Sequence, residues 1–216
     1  MDKYLTLVNK QHRFDESMLE NFEMLPIVDE DGETYVEKET IESFNKMAEY
    51  MKTTYGIELE IISAGRSREK QQMVYNQIAQ KHGTVYADKH VAEPGTSEHH
   101  TGLALDVHVH QTRPKFIQKL INKSSFVKRY FDKQERDSGK TDEMYHMLHN
   151  VMTDYGFILR YTEDKKPITG FDAERWHIRY VGKKYAERIK NADLCLEEYV
   201  RQSTYNPDPQ IPTFGE

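Results

Sequence analysis

The chain of 216 residues is poor in cysteine, in net positive charge and in long apolar runs. Its single cysteine, Cys195, excludes an intrachain disulfide and any zinc cluster built from cysteines. The formal net charge of -6 and the lack of a basic run argue against nucleic acid as a partner. No segment approaches the roughly 18 consecutive apolar residues of a membrane helix.

The opening residues also lack the apolar stretch of about 7–15 residues that is typical of a signal peptide. We therefore expect a cytoplasmic protein. The alternative is a protein exported to the cell envelope whose signal has been removed from the sequence.

Hydrophobic residues make up 37% of the chain, which is enough for one sizeable core without disulfides. No internal repeat or low-complexity tract divides the sequence. We expect one domain over residues 1–203, which opens with an irregular arm or short helix to about Ile27. A Pro-rich, loosely attached tail is predicted for residues 204–216.

Helix and strand signals follow one another without the regular alternation of a parallel doubly wound sheet. Apolar spacing predicts a helix that ends at Gly56, a strand over IELEIISAG, and a helix from the N-cap Ser67 to Gly83. DEDGET and TEDKKPITG are predicted turns. Further strands are predicted from about Leu103 to Val109, at FILRY and at RWHIRYVG, and further helices within 113–133, over DEMYHMLHNVMTDYG and over about 183–202. The pattern favours an α+β fold, with a mainly antiparallel sheet backed by helices.

The stretch GTSEHHTGLALDVHVHQ contains four of the ten histidines. His99 and Asp106 are seven residues apart, which would place them on opposite faces of a continuous strand. A turn at Gly102 before the strand would remove that conflict and allow both side chains to reach one metal ion.

The segment ERWHIRY offers Glu174 and His177, which suit one site if Glu174 lies in a loop and His177 begins a strand. A catalytic zinc usually takes about three protein ligands and leaves one position for water. His177 is therefore a candidate third ligand, with Glu174 as the general base.

Two other interpretations are compatible with the histidines. Asp106, His108 and His110 alternate along one strand face and could form a cluster, although side chains about 7 Å apart are wide for a tetrahedral ion. The histidines could also be surface residues that bind no metal.

Three segments carry the motifs of a known family. SEHHTGLALD has a Ser-x-His-x6-Asp signature, YGFILRYTEDKKPITGFDAERWHIRYVG contains Glu-x-Trp-His, and SAGRSREKQQMVY is close to Ser-Gly-aromatic-Arg-Ser-x3-Gln. From about Leu7 to Val200 the chain resembles the D-alanyl-D-alanine carboxypeptidases of the M15 zinc peptidase family, the VanY/VanXY-like and LdcB-like branch. The resemblance implies a Hedgehog/DD-peptidase-like α+β fold and a zinc metallopeptidase.

The resemblance also implies roles for individual residues. His99, Asp106 and His177 would be the Zn2+ ligands, and Glu174 the catalytic base. Arg66 would bind the terminal carboxylate of the substrate or the developing oxyanion. Ser97 and Gln71 would help to hold that carboxylate, and Trp176 would pack against the site and orient His177.

The implied activity is a zinc D,D-carboxypeptidase or D,D-dipeptidase that removes C-terminal D-Ala from peptidoglycan precursor peptides. Its partners would be peptidoglycan stem peptides or the dipeptide D-Ala-D-Ala. One alternative is an L,D-carboxypeptidase that trims tetrapeptide stems. Another is a catalytically silent, zinc-stabilised module that binds peptidoglycan, although the intact Glu174 argues against it.

The chain departs from the family pattern at two positions. Gly65 stands where the family has an aromatic residue before Arg66, which predicts a wider or reshaped pocket. Arg175 stands where the family often has proline after the catalytic glutamate. We expect Arg175 to face solvent; if it pointed inward, it would lower the pKa of Glu174.

Overall fold

The computed structural model describes residues 2–113 and 139–205 and, between these ranges, positions 119, 121, 123–126, 128, 129 and 133. Eleven of the 21 positions of the region predicted to be helical within 113–133 lie outside the described residues, as do residues 206–216 of the predicted tail.

The described strands form two antiparallel sheets. Strands β1 (Met24–Asp29) and β2 (Gly32–Glu37) make a hairpin. A four-stranded sheet has the order β3-β4-β6-β5, from β3 (Ile57–Ser63), β4 (Ala104–Gln111), β5 (Phe157–Leu159) and β6 (His177–Tyr180). All of its strand pairs are antiparallel, which confirms the predicted α+β class.

Outside residues 119–133, the described part of the chain contains seven α-helices: α1 (Lys38–Tyr55), α2 (Arg68–His82), α3 (Thr84–His90), α4 (Lys140–Val151), α5 (Lys166–Thr169), α6 (Lys183–Asn191) and α7 (Leu196–Tyr205). Short 3-10 helices span Lys3–Leu5, Glu16–Leu19, Glu98–Thr101, Met152–Tyr155 and Glu163–Lys165. None of the helices described is long and apolar enough to cross a membrane.

The main core lies between α1 and the four-stranded sheet. Phe44, Met47 and Met51 share one face of α1 and are buried in the same apolar cluster as Leu105 and Val107 of β4. The predicted boundaries of this region are confirmed, because they depend on local signals. Gly56 ends α1 in the left-handed conformation, and the Ser67 side chain accepts a hydrogen bond from the first turn of α2.

Local structure differs from the predictions in three places. The short helices and the turn predicted before residue 38 are present, but strands β1 and β2 on either side of the turn were not predicted. TEDKKPITG contains a 3-10 helix and α5. The last helix is interrupted between α6 and α7, where Asp193 has a φ of 51°. Cys195 is buried just before α7, and its backbone N–H donates to Glu198 Oε2 at 2.8 Å.

The sheet places Asp106 between two other residues of the predicted site region. Asp106 pairs with His177 of β6 on one side and with Ser63 of β3 on the other, next to a register shift in β3. The 3-10 helix Glu98–Thr101 ends immediately before β4 at Gly102, whose φ is 68°. This tight turn brings His99 back towards Asp106, as the spacing of the two residues had indicated.

Candidate active site

The structure brings His99, Asp106 and His177 together at the beginning of β4 and β6. One potential ligand atom from each residue lies within 4.8 Å of the others, and this is the one such group found in the part of the chain described here. His99 Nε2 is 3.3 Å from Asp106 Oδ2, and His177 Nδ1 is 3.0 Å from Asp106 Oδ1.

The chemistry of these three side chains fits a zinc ion. His99 Nδ1 lies 2.6 Å from the carbonyl oxygen of Ala64, so that nitrogen carries the proton and Nε2 keeps its lone pair for a metal. Asp106 Oδ1 is buried and has no hydrogen-bond partner, despite its short distance to His177 Nδ1. Two imidazole nitrogens and one carboxylate are a common ligand set for catalytic zinc.

Burial and mutual contacts set the protonation of the metal-free group. Burial of His177 alone would lower its pKa, but Asp106 and Glu98 outweigh that effect and raise it to about 9. Burial lowers the pKa of His99. Burial would raise the pKa of Asp106, but His99 and His177 hold it well below its usual range. At neutral pH the group therefore contains a neutral His99, an ionised Asp106 and a protonated His177.

Glu174 lies in the loop before β6, as its spacing from His177 required. Its backbone N–H donates to Tyr161 O, and its carbonyl oxygen accepts from the His177 N–H, both at 3.1 Å. Its carboxylate Oε2 is 3.7 Å from His177 Nδ1, the nitrogen that faces Asp106. Burial raises the pKa of Glu174, which makes its carboxylate a stronger base.

Arg66 approaches the same group from the side of His99. Its Nη2 donates to Ser63 Oγ at 2.6 Å and lies 3.9 Å from Asp106 Oδ2. Its Nη1 donates to Gln71 Oε1 at 2.9 Å, while its Nε is buried without a hydrogen-bond partner. A held guanidinium with an uncommitted donor is suited to bind a carboxylate.

Gln71 and Ser97 lie behind the residues that face the metal group. Gln71 accepts from Arg66 and donates through Nε2 to Ala92 O at 2.6 Å, so both ends of its amide are engaged. Ser97 Oγ accepts from the His99 N–H at 3.4 Å and caps the 3-10 helix. The structure thus places them as supports for Arg66 and His99, and their direct contact with substrate stays a prediction.

Tyr161 is the aromatic residue that packs on His177. Its ring centroid lies 5.0 Å from that of His177, a contact that was not predicted. Trp176, expected to fill this role, is instead 43% exposed and lines a cavity of about 570 Å³ next to Asp106. Arg175 lines the same cavity, pairs with Asp142 and lies over the Tyr145 ring, so it does not turn towards Glu174.

The space left by the missing aromatic side chain at Gly65 is filled from another strand. A Cβ at Gly65 would overlap the carbonyl oxygen and the ring of Tyr35 in β2. The Gly65 N–H also donates to Tyr35 O at 2.8 Å. Of the two predicted outcomes, a wider or a reshaped pocket, the first is wrong, because Tyr35 occupies the space that a Cβ at Gly65 would take.

The remaining histidines of the His-rich stretch lie outside the metal group. His100 is buried, with Nδ1 2.6 Å from Arg66 O and Nε2 accepting from the Gly95 N–H at 2.9 Å. His110 Nε2 lies 3.3 Å from Glu58 Oε2, and His108 lines the cavity. The alternative cluster of Asp106, His108 and His110 is therefore not formed.

Comparisons with known proteins agree with this geometry. A family model described as VanY, D-alanyl-D-alanine carboxypeptidase, matches residues 33–183. The putative carboxypeptidase YodJ of Bacillus subtilis is 32% identical over 92% of this chain and 67% of the relative. The bifunctional D-Ala-D-Ala dipeptidase and D-Ala-D-Ala carboxypeptidase VanXYC of Enterococcus gallinarum is 30% identical over 90% of this chain and 92% of the relative.

Solved structures give the same result. A mutant of the vancomycin resistance D,D-pentapeptidase VanY, in complex with Zn(II), matches with a TM-score of 0.70 and 26% identity over 92% of this chain and 99% of the other. VanYB in complex with D-alanine-D-alanine matches with a TM-score of 0.70 and 26% identity, over 93% and 98%. The LD-carboxypeptidase LdcB matches with a TM-score of 0.64 and 31% identity, over 90% and 84%.

Proposed function

Because the chain belongs to the VanY family of D-alanyl-D-alanine carboxypeptidases and is a zinc metallopeptidase, we propose that it removes the terminal D-Ala from D-Ala-D-Ala ends. Its substrates are peptidoglycan precursor peptides, the dipeptide D-Ala-D-Ala, or both. The main support for this activity is that Arg66 and Glu174 both lie next to the metal group, one near Asp106 and the other near His177. Arg66 lies 3.9 Å from Asp106 Oδ2, and Glu174 lies 3.7 Å from His177 Nδ1.

His99 Nε2, Asp106 and His177 Nδ1 would hold the zinc ion, which supplies a Lewis acid that activates water and polarises a carbonyl group. Glu174 takes the proton of the attacking water and passes it to the nitrogen of the leaving D-Ala. Its raised pKa, caused first by burial, favours proton acceptance in this partly enclosed position.

Arg66 supplies the selectivity for a chain end. A guanidinium presents planar donors that match both oxygens of a free carboxylate. Ser63 and Gln71 fix two of its nitrogens, so little side-chain freedom is lost when a carboxylate binds. An internal peptide bond offers no such anion, and a buried group left unsatisfied costs about 1–3 kcal/mol, or more if it is charged.

The cavity beside Asp106 is available for the part of the peptide that precedes the cleaved bond. It is bounded by Tyr145, Arg175 and Trp176, while Arg66 is absent from its lining. A peptide whose terminal carboxylate lies at Arg66 can therefore extend past the metal group into this cavity.

The test is a D-Ala release assay with the zinc-loaded protein on a pentapeptide stem, a tetrapeptide stem and free D-Ala-D-Ala. We expect release from the pentapeptide, from the dipeptide or from both, and at least about 100-fold slower release by Glu174→Gln, which keeps the shape of the side chain. Absence of cleavage of all three substrates by the zinc-loaded protein would contradict the proposal.

L,D-carboxypeptidase activity is the second candidate. LdcB is named an LD-carboxypeptidase, and its identity of 31% to this chain is higher than the 26% of the two VanY structures. Preferential cleavage of the tetrapeptide would assign this activity. A silent binding module is disfavoured by Glu174, because a purely structural zinc site needs no base next to its ligands.

A further inference from the structure

We propose that Glu98 is a positioning residue that fixes the ring of His177 in the tautomer needed for zinc binding. The proposal rests on the metal group and is independent of which peptide the protein cleaves. It arises from two buried polar atoms that face each other. Glu98 Oε2 and His177 Nε2 are both buried without a hydrogen-bond partner, and they lie 3.7 Å apart.

His177 can serve as a ligand through Nδ1 only if that nitrogen keeps its lone pair. Nδ1 faces Asp106 Oδ1 at 3.0 Å across the metal group, so once zinc binds at Nδ1 the remaining ring proton belongs on Nε2, which points at Glu98. A carboxylate next to the ring nitrogen that does not bind the metal accepts a hydrogen bond from its N–H, and this fixes the tautomer of the histidine. His99 follows the same logic on the other side, with the carbonyl of Ala64 as its acceptor.

Two arginines hold the Glu98 carboxylate in place. Glu98 is 1% exposed, and its other oxygen, Oε1, accepts from Arg160 Nε at 2.8 Å and from Arg179 Nη1 at 2.9 Å. Both arginines are buried as well. With Oε1 committed twice, the carboxylate cannot turn, and Oε2 is left facing His177.

The arginines are themselves anchored to distant parts of the chain. Arg160 binds Glu197 of α7 with two hydrogen bonds, at 2.9 and 2.5 Å. Arg179 Nη2 donates to the carbonyl oxygens of Tyr4 and Thr6 at 3.1 and 2.7 Å. We call Glu98, Arg160, Arg179 and Glu197 the Glu98 cluster; its two positive and two negative charges balance.

Glu98→Gln tests the tautomer directly. The two arginines require an oxygen at the position of Oε1, so the new amide nitrogen takes the place of Oε2. An amide N–H donates, and it would favour His177 with a bare Nε2 and its proton on Nδ1, where zinc must bind. We expect zinc affinity to fall about 10- to 100-fold, as measured by chelator competition without any peptide.

Glu197→Gln is the matched control. It removes one negative charge from the same cluster and disturbs the anchoring of Arg160, but Glu197 lies on α7 and is bound to Arg160 and Asn9. We expect this variant to lose thermal stability while its zinc affinity stays close to that of the parent. Equal losses of zinc affinity in both variants, or no loss in Glu98→Gln, would overturn the proposal.

A measurement on the unaltered protein keeps the inference testable if Glu98→Gln fails to fold. Nitrogen-15 NMR of the zinc-loaded protein distinguishes a protonated Nε2 from a bare one at His177. A protonated Nε2 whose hydrogen exchanges slowly with solvent is expected. A His177 ring without a proton on Nε2 would contradict the assignment, whatever the protein does to peptides.

Discussion

The apparent affinity for zinc should depend on pH through one proton, that of His177. In the metal-free protein its pKa is about 9, whereas an unperturbed histidine has a pKa of about 6.5. Zinc binds through the lone pair of His177 Nδ1, so the proton on that nitrogen must dissociate before the metal can bind. The pKa of His99 is lowered and that of Asp106 lies far below neutrality, so these ligands release no proton at neutral pH.

The magnitude follows from the position of that pKa. Displacing one proton makes the association constant rise about tenfold per pH unit below the pKa. Between pH 7 and pH 9 we therefore expect an increase of about 100-fold, or about 2.7 kcal/mol. The increase should level off above about pH 9, rather than near pH 6.5 as for an ordinary histidine.

The stability of the metal-free protein should follow the opposite trend. A pKa that is higher in the folded state than in the unfolded chain stabilises the fold at low pH. The contribution of His177 is complete below about pH 6.5 and is lost as the pH rises through about 9. Raising the pH should therefore lower the unfolding temperature without zinc while strengthening zinc binding.

The assay is chelator competition at a series of pH values, corrected for the protonation of the chelator, together with an NMR titration of the His177 ring in the metal-free protein. Glu197→Gln is a suitable control, because it changes the charge of the Glu98 cluster through a residue bound to Arg160 and Asn9. A zinc affinity that stops rising near pH 7, or a His177 ring that titrates near its ordinary pKa, would refute the reasoning.

Three further outcomes are expected from substitutions. Glu174→Ala should reduce kcat by about 100- to 10,000-fold with zinc affinity retained, because it removes only the base; unchanged turnover would rule out that role. Arg66→Met should cost about 2–5 kcal/mol in the recognition of free-carboxylate peptides, and it should not slow the cleavage of amide-capped peptides. A variant that still distinguishes acid from amide would show that another group binds the carboxylate. Gly65→Ala should lower the unfolding temperature, because overpacking against Tyr35 costs about 1–3 kcal/mol. Adding Tyr35→Ala to this variant should restore the unfolding temperature only in part, since the backbone carbonyl of residue 35 remains. An unchanged unfolding temperature in Gly65→Ala would contradict the packing at Gly65.

The sequence was most informative where structure depends on neighbouring residues. Helix α1 and its end at Gly56 follow from apolar spacing and from a residue that tolerates a positive φ. The approach of His99 to Asp106 likewise follows from the turn that Gly102 allows. These features are local, so their signals lie within a few residues of the feature itself.

Other features depend on contacts that no local pattern encodes. Tyr35, which is 30 residues away in the sequence, fills the space at Gly65. Because this contact is not local, the missing aromatic residue at position 65 suggested a wider pocket. Trp176 belongs to a recognised motif, but the exposure of its side chain depends on the path of the loop that leads into β6. Tyr161, which packs on His177, lies in a segment that was assigned only to a strand.

The Glu98 cluster is the clearest case of a feature beyond sequence reasoning. Its four members are spread over about a hundred residues, and each pairs only after the sheet and α7 have assembled. A weak signal was present, because Arg160 and Arg179 lie in apolar segments that were predicted as strands, where a buried charge is costly unless it is paired. The identity of the partner could not be deduced from that signal.

The anchoring of Arg160 to α7 bears on the order of events during synthesis. The zinc ligands have all left the ribosome once residue 177 has emerged, but Glu197, which neutralises Arg160, is made 20 residues later. A nascent chain that stops before α7 holds both arginines and only one of the two carboxylates that balance them. The buried charge of Arg160 is therefore balanced only when α7 docks, so the stability of the fold, more than its zinc affinity, should depend on residues made after the last zinc ligand.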